Sequence, residues 1–502
     1  MKKCFYLVIM MLVSISANAD DYFKHGGIRY KIESFVDQEL CVTYPDESDY
    51  TTTNLVIPSS VRTKQGQVWT VTAIGEDAFS KFSWESGYKN LRSVTIPKTV
   101  KRIHKQAFQD ATISEVTADC PTYIFRSNGK DCSLINNMKV LHLGANANEK
   151  TIDCLSHFKS IEKITLVPTN KNLSFEKGII YNKAKTKIYY CVRYVNSIPG
   201  ATPVTIPRSV KEINFQAFDF KGLNTINHNS SAITQYKYDV KQINFGDAVT
   251  KEAAKEAISN IVDREHTIVT LSPKNPYLIM EDGVLYDKDK TEILFISRDK
   301  SGSLVMPETV RRINRGAISY NKLTSITFSR KCKGSDAYIN NCNSLQSIIF
   351  PDSVEVMGDP NGSKVDHVDV WYLPSLTTIK MPKYVKKIIS YAFEGIGIKE
   401  LELPNGLESI EDNAFLNCKE LTKVVLPETL TSVRYGTFRN CVQLKIVYCY
   451  AKAPKFQFVP FVWTDPKQRK SNVSEIHVPR GCKAAYENSD WKHGDVKIID
   501  DL

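Results

Sequence analysis

Twelve cysteines, nine histidines and scattered carboxylates are the residues here that could act as nucleophiles, bases or metal ligands. Their spacing argues against each role. There is no Cys-x-x-Cys pair and no Cys/His cluster at zinc spacing. The sequence holds no G-x-x-x-x-G-K-[ST] to cradle phosphates, no H-E-x-x-H, no G-x-S-x-G and no dinucleotide G-x-G-x-x-G. Asp287-Lys-Asp289 is the best metal candidate, since two neighbouring carboxylates could share a hard cation. The matching turn Asn182-Lys-Ala184 lacks both carboxylates, which favours a hairpin turn. Cys342, Cys418 and Cys441 occupy one slot, ahead of Leu345, Leu421 and Leu444; elsewhere that slot holds Tyr88, Phe220 and Tyr320. A slot that accepts Phe and Tyr is a core position, where cysteine behaves as a small hydrophobe. No catalytic set, cofactor or metal is expected.

The elements that must position any binding residues begin with export. Lys2 and Lys3 precede an apolar run from Phe5 to Val13, and Ala17-Asn18-Ala19 supplies the small-x-small cleavage pattern. Residues 1–19 read as a signal peptide, and the run is too short to span a bilayer. Cys4 lies ahead of that run, so it is not a lipoprotein acceptor. Removing this leader leaves 11 of the 12 cysteines and lowers the formal charge from +11 to +9. The bases form no block, so no nucleic-acid partner is expected. The 42% hydrophobic and 24% charged composition is that of a chain able to bury a large core. Asn229-Ser-Ser and Asn472-Val-Ser match the glycosylation sequon.

Self-similarity dominates the rest. The unit is apolar-Pro-x-x-V-x-x-I-x-x-x-A-F. It appears as Pro97, Val100, Ile103, Ala107, Phe108, then from Pro207 to Phe218, Pro382 to Phe393, Pro404 to Phe415 and Pro427 to Phe438. Copies at Pro307 and Pro351 are degenerate, and the first, at Pro58, is lengthened before Ile74. Pro382 to Pro404 spans 22 residues and Pro404 to Pro427 spans 23. A short alternating strand precedes each proline, which then ends it for want of an N–H. One such turn cannot bury its apolar side alone, whereas a stack can.

This pattern resembles the BspA-type leucine-rich repeats of exported Bacteroides-like proteins. Leu421 through Leu444 reads L-T-K-V-V-L-P-E-T-L-T-S-V-R-Y-G-T-F-R-N-C-V-Q-L, a nearly complete copy of the family's signature. One departure is the glycine usual after the isoleucine. It occurs at Gly75, while His104, Asn214, Asn314, Ile389, Glu411 and Arg434 replace it elsewhere. The resemblance implies a β-rich α/β solenoid, a right-handed superhelix of 22–23-residue coils with inserted hairpins and terminal caps. It also implies a non-enzymatic surface or secreted protein that binds an extracellular protein or glycan, in adhesion or host and cell-surface contact. The alternative is a periplasmic or surface scaffold that assists glycan handling.

The expected organisation is a β-rich N-terminal cap at 20–57, coils over 58–450 with an irregular insert at about 228–265, and a C-terminal coil and cap at 451–502. Asn170–Tyr181 and Asn275–Tyr286 match each other at an offset of 105 and read as inserted hairpins. Lys251 to Val262 has the apolar spacing of a short helix. Strand alternation turns Ile348, Ile379, Leu401, Val424 and Val447 inward. Thr327, Ile349, Lys380, Glu402, Val425, Tyr448 and His477 then form one outward lane, beside a second lane that contains Ile446. Clustered exposed apolar groups suggest an interface, so Ile349, Lys380, Glu402, Val425, Ile446 and Tyr448 are the candidate ligand-binding residues. The segment Phe456 to Trp463 is an alternative cover for them.

Overall fold

A computed structural model describes residues 22–43, 52–63, 66–79, 90–104, 106–108, 111–122, 138–153, 155, 161–192, 203–214, 217, 223–231, 240–261, 263–332, 337–358, 368–452, 460–461, 472–492 and 495–502. The leader, Tyr88, Phe218 and Phe220 lie outside them. The chain divides into two compact units, one of Met1–Thr202 with Ser209–Gly222, the other of Pro203–Arg208 with Leu223–Leu502. Strands dominate both, and two helices, Lys251–Ser259 and Lys483–Glu487, occur among the described residues.

The first unit opens with an antiparallel meander of Tyr22–His25, Ile28–Ser34 and Glu39–Thr43. Its last strand pairs parallel with Val68–Ile74, which begins the stacking. The lengthened first repeat is explained by Ser60–Arg62, which folds back antiparallel on Val68–Ile74. Five parallel strands follow in order: Asn54–Val56, Ser93–Ile96, Glu115–Ala118, Val140–Leu143 and Lys163–Leu166. Leu55, Val94, Val116, Leu141 and Ile164 sit in one register row, all buried. The ladder thus already includes Asn54–Val56, inside the stretch read as cap.

The second unit holds three longer parallel ladders. Val204–Ile206, Leu223–His228, Val240–Phe245 and Ile268–Leu271 form the first. Ser301–Val305, Lys322–Thr327, Ser347–Ile349 and Thr378–Lys380 form the second. Glu400–Glu402, Lys423–Leu426, Ile446–Cys449, Glu475–His477 and Lys497–Ile499 form the third. The block at 228–265, expected to be irregular around a short helix, contributes the strand Val240–Phe245 in register, and the helix expected from Lys251 forms over Lys251–Ser259. That helix buries Ala253, Ala254, Ala257 and Ile258 and is capped by Thr250, whose side chain accepts from Ala253 N–H. The strand hides in the sequence because Gln242 and Asn244 face outward and no proline follows it.

The coils that carry the repeat signature turn their corners in the same way. The residue after the isoleucine donates its N–H to the preceding coil: Gly75 to Val42, His104 to Ile74, Ile389 to Met357, Glu411 to Ile388. Any L-residue can do this, which is why glycine is dispensable there. The left-handed backbone falls two residues later, at Asp77, Gly316, Tyr391, Asn413 and Gly436, with φ between 52° and 69°. Next comes the Ala-Phe pair. In the second unit Phe393, Phe415, Phe438 and Phe461 stack at successive centroid distances of 5.1, 5.5 and 5.8 Å, within 17° of parallel. Trp491 closes this column edge-on at 5.5 Å from Phe461, and Tyr486 packs against Trp491 at 5.8 Å. Both of these rings are buried. In the first unit Phe79 and Phe108 stack at 5.1 Å.

The two matched segments are three-stranded antiparallel meanders. One is Leu173–Glu176, Ile179–Asn182 and Lys187–Cys191; the other is Leu278–Glu281, Val284–Asp287 and Glu292–Ile296. The last strand of each pairs parallel with the next coil, at Glu212–Ile213 and Arg312–Ile313. Asp287 is a turn cap: its carboxylate accepts from Thr291 N–H at 2.7 Å, Glu292 N–H at 2.9 Å and the Thr291 hydroxyl at 2.6 Å. Asn182 makes the matching bonds to Thr186 and Lys187. Among the described residues no group of three or more His, Cys, Asp or Glu could hold a metal ion. Asp287 instead receives Lys251 Nζ at 3.3 Å, and the buried Glu292 receives Lys251 at 2.9 Å and Lys255 at 2.5 Å. Burial alone would raise the Glu292 pKa. The Lys255 and Lys251 hydrogen bonds and charges outweigh it and hold the carboxyl below its ordinary range. Asp287 is held down in the same balance, with its turn hydrogen bonds leading the opposition to burial.

Two outcomes follow. Phe415→Ala, in the middle of the column, is expected to cost about 3–5 kcal/mol in equilibrium denaturation; a loss below about 1 kcal/mol would contradict the packing. Lys255→Met is expected to cost about 1–3 kcal/mol near neutral pH, because it strips a hydrogen bond from a buried charge. Glu292 and Asp287 have depressed folded pKa values, so their contribution is present above the unfolded values of about 4–4.5 and is lost as pH falls through the folded ones. The difference between wild type and variant should therefore shrink in acid; a difference constant with pH would remove Glu292 as its cause.

Candidate functional site

The outward rows can now be placed. Thr327, Ile349 and Lys380 are register partners in the second ladder of the later unit. Glu402, Val425, Tyr448 and His477 are register partners in the third. The single expected lane is therefore two, and Ile349 and Lys380 stand on a different sheet from Val425 and Tyr448. Glu400–Glu402 starts a new sheet, and in the corner before it Gly397 donates to Leu373 O, where a Cβ would sit 1.9 Å from Pro374 O. Ile379, expected in the core, is half-buried at this boundary.

On the third ladder the outward side chains meet. Tyr448 and His477 stack at 4.6 Å with ring planes 20° apart. Lys423 Nζ lies 5.5 Å from the Tyr448 ring centroid and 3.5 Å from the Glu400 carboxylate. His477 Nδ1 is 2.9 Å from Asp501, and its Nε2 is 3.7 Å from Glu475. Ile446 lies in register between Lys423 and Glu475, one row from the aromatic pair. Val425, Ile446 and Tyr448 are half-exposed, Glu402 is exposed, and Ile349 and Lys380 are exposed on their own sheet. The result is an aromatic step flanked by two aliphatic side chains, a lysine and three carboxylates. Such a surface can stack on a planar or pyranose face, cover an apolar partner side chain and pair with charges of either sign. Asp501 and the closing strand Lys497–Ile499 escape the sequence reading, although V-K-I-I alternates as a strand should. Of the segment Phe456–Trp463, only Pro460 and Phe461 are described, and Phe461 belongs to the core column.

The thiols occupy the opposite side of the coil wall. Cys418 Sγ donates to Phe393 O at 3.3 Å and Cys441 Sγ to Phe415 O at 3.2 Å, so each ties its coil to the phenylalanine carbonyl of the one before. Cys342, Cys418, Cys441 and Cys449 are buried. Burial pushes the Cys342 and Cys449 thiols up to about 11, and Cys41 and Cys120 up to about 12. These groups stay protonated where a nucleophile must be a thiolate. Among the described residues no helix is long and apolar enough to cross a membrane.

No curated protein matches the chain. Similar solved structures include a leucine rich cell surface protein from Faecalibacterium prausnitzii, 18% identical, covering 91% of this chain and 100% of its own, with a TM-score of 0.32. A leucine-rich repeat protein from Bacteroides ovatus is 16% identical over 87% of this chain and 99% of its own, with a TM-score of 0.35. The pneumococcal vaccine antigen PcpA is 16% identical over 96% of this chain and 98% of its own, with a TM-score of 0.28. Residues 53–187, 293–361 and 369–461 match the BspA type leucine rich repeat region in six copies. That is more than half of the chain, which therefore belongs to the BspA type leucine-rich-repeat family.

Proposed function

We propose that this chain is exported and binds an extracellular protein or glycan on the outer face of its last ladder, in adhesion or contact with host or neighbouring cells. Its coils would wind as a right-handed superhelix, the form the repeat signature implies. The leader-like residues 1–19 support export, and the repeat family supports a binding role at a surface. One observation carries the choice of face: the stacked Tyr448–His477 pair, with Lys423 above it and Val425 and Ile446 beside it. An outward Tyr next to aliphatic groups is the composition of interface anchors, where desolvated rings supply most of the binding energy. Ile349 and Lys380 would form a separate, weaker contact on the preceding sheet. Binding rather than catalysis is the reading, because the thiols of Cys342 and Cys449 are buried with raised pKa values and point away from this face.

The test is capture. Mature protein is offered host matrix proteins and a glycan array, and the best partner is then titrated against the Val425→Ser/Tyr448→Ser variant. Folding should be unaffected, since both side chains point outward, and affinity should fall at least tenfold, about 1.4 kcal/mol. Unchanged affinity in the folded double variant would rule this face out.

A further inference from the structure

A different wall of the later unit, the one that carries the phenylalanine column, has its own outward chemistry. Its segments are neighbours from coil to coil. Ile339 pairs with Val370 and Asn340 with Trp371. Beyond them Tyr320, Tyr372, Gly395 and Asn417 donate N–H groups to the carbonyls of Asn340, Glu394, Leu416 and Arg439 on the next coil. The chain is left-handed at this point on each coil: Tyr320, Asn341, Tyr372, Gly395, Asn417 and Asn440 have φ between 53° and 69°.

Glycine and asparagine accept that backbone readily, whereas a ring-bearing residue is disfavoured there. Tyr372 takes it nonetheless. So does Tyr391, at the corner position that Asn413 and Gly436 fill on the next coils, with φ of 64°. Burial does not offset the strain, since Tyr372 is 51% exposed and Tyr391 50%. Two rings are thus held in water at positions where folding favours another residue, and strain of this kind collects at ligand clamps.

The Tyr372 ring is also fixed in place. A Cβ on Gly395 would sit 3.3 Å from its Cδ1, so the ring leans on the glycine backbone. Its hydroxyl donates to Glu394 Oε1 at 3.0 Å, and Asn417 Nδ2 donates to the same oxygen at 3.2 Å. Asn440 Nδ2 in turn donates to Asn417 Oδ1 at 3.0 Å. Both bonds to the carboxylate fall on Oε1, which leaves Oε2 to an incoming hydroxyl. On its other side Tyr372 meets Trp371 at 6.3 Å, and Trp371 meets Tyr338 at 6.1 Å. Arg315 lies 4.8 Å from the Tyr338 ring centroid. Tyr391 joins the group through Glu394, whose N–H donates to the Tyr391 carbonyl at 3.2 Å; the Tyr391 hydroxyl accepts from Asn413 Nδ2 at 3.2 Å.

We propose that this strip of rings, from Tyr338 through Trp371 and Tyr372 to Tyr391, binds a neutral carbohydrate chain. Pyranose C–H groups lie on the exposed Tyr372 and Tyr391 rings, whose negative faces attract them. Sugar hydroxyls pair with Glu394 Oε2 and with the second N–H of Asn417. A uronate or sulfate would meet the Glu394 carboxylate, which has no ion-pair partner among the described residues. A protein partner is the other class that exposed tyrosines suit. The surroundings favour the sugar: Tyr448 stands among aliphatic side chains, while Tyr372 stands among Glu394, Gly395 and Asn417.

The experiment is calorimetric titration of the full mature chain with neutral oligomers of mannose, glucose, galactose and N-acetylglucosamine, with polyuronates and matrix proteins as controls. At least one neutral oligomer should saturate. Its affinity should fall at least tenfold in Tyr372→Asn and in Tyr391→Asn, and hold in Tyr448→Ser, which separates this site from the terminal face. Asparagine already fills both backbone positions on other coils, at Asn417 and Asn413, so neither variant should melt below wild type. Four results overturn the proposal. No neutral oligomer saturates; only polyuronates or a matrix protein bind through Tyr372; the folded Tyr372→Asn protein binds the oligomer like wild type; or both asparagine variants melt well below wild type, which would make the rings packing residues.

Discussion

Everything in both units depends on one constraint: a short strand can bury its inward side chain and satisfy its backbone only against the coil beside it. Val424, Val447, Ile476 and Ile498 illustrate it. They are register partners along one ladder, and all are buried. None could be hidden by its own coil, which has no second layer to fold over it. The proline after the strand, the left-handed residue at the corner and the phenylalanine in the column all serve to bring the next inward residue back to the same height. The thiol bonds from Cys418 and Cys441 to the phenylalanine carbonyls of the previous coil follow from the same spacing. The column also explains the closing rings. An uncovered Phe461 would leave a phenylalanine face in water, and Trp491 and Tyr486 remove it.

The points where a ladder gives way to an antiparallel meander pose a different problem, since backbone groups change direction inside the fold. Each unit solves it with one buried asparagine. In the first, Asn170 Nδ2 donates to Gly144 O at 2.7 Å and Ala147 O at 2.9 Å, while Oδ1 accepts from Asn172 and Leu173 N–H. In the second, Asn275 donates to Gly246 O and Val249 O and accepts from Tyr277 and Leu278 N–H. All the principal valences of the carboxamide are used, so its burial costs little and an unpaired turn is avoided. An aspartate could accept but not donate here, and a leucine could do neither.

This logic decides what could be read from the sequence. The inward lane and the column impose residue type at fixed intervals, so the prolines, isoleucines and Ala-Phe pairs announce the coils, and Phe393, Phe415 and Phe438 lie where their spacing puts them. The paired turns at Asn182 and Asp287 were legible because the chain states them twice. Backbone continuity was not legible. Lys380 and Glu402 stand on different sheets although the alternation around both is the same, because strand pairing leaves no mark on the side-chain pattern. Val240–Phe245 was missed for a related reason: its outward positions are amides and its end lacks a proline, so only pairing with Leu223–His228 identifies it. Phe461 was missed as a column member because the preceding repeat signature stops at Leu444, although the aromatic stack continues.

The outer faces are where these coils are free to differ, because nothing in the stacking depends on them. The terminal ladder uses that freedom for rings and charges: Tyr448 on His477, with Lys423, Glu400 and Asp501 around them. The ladder that begins at Val204–Ile206 uses it for a row of amides and hydroxyls whose bonds run one way across four strands. The difference has an energetic side. Exposed ion pairs such as Lys423–Glu400 contribute little in water, so they set charge complementarity without rigidifying the face. A bonded amide row is held in place by its own hydrogen bonds, which fixes that face without any charge.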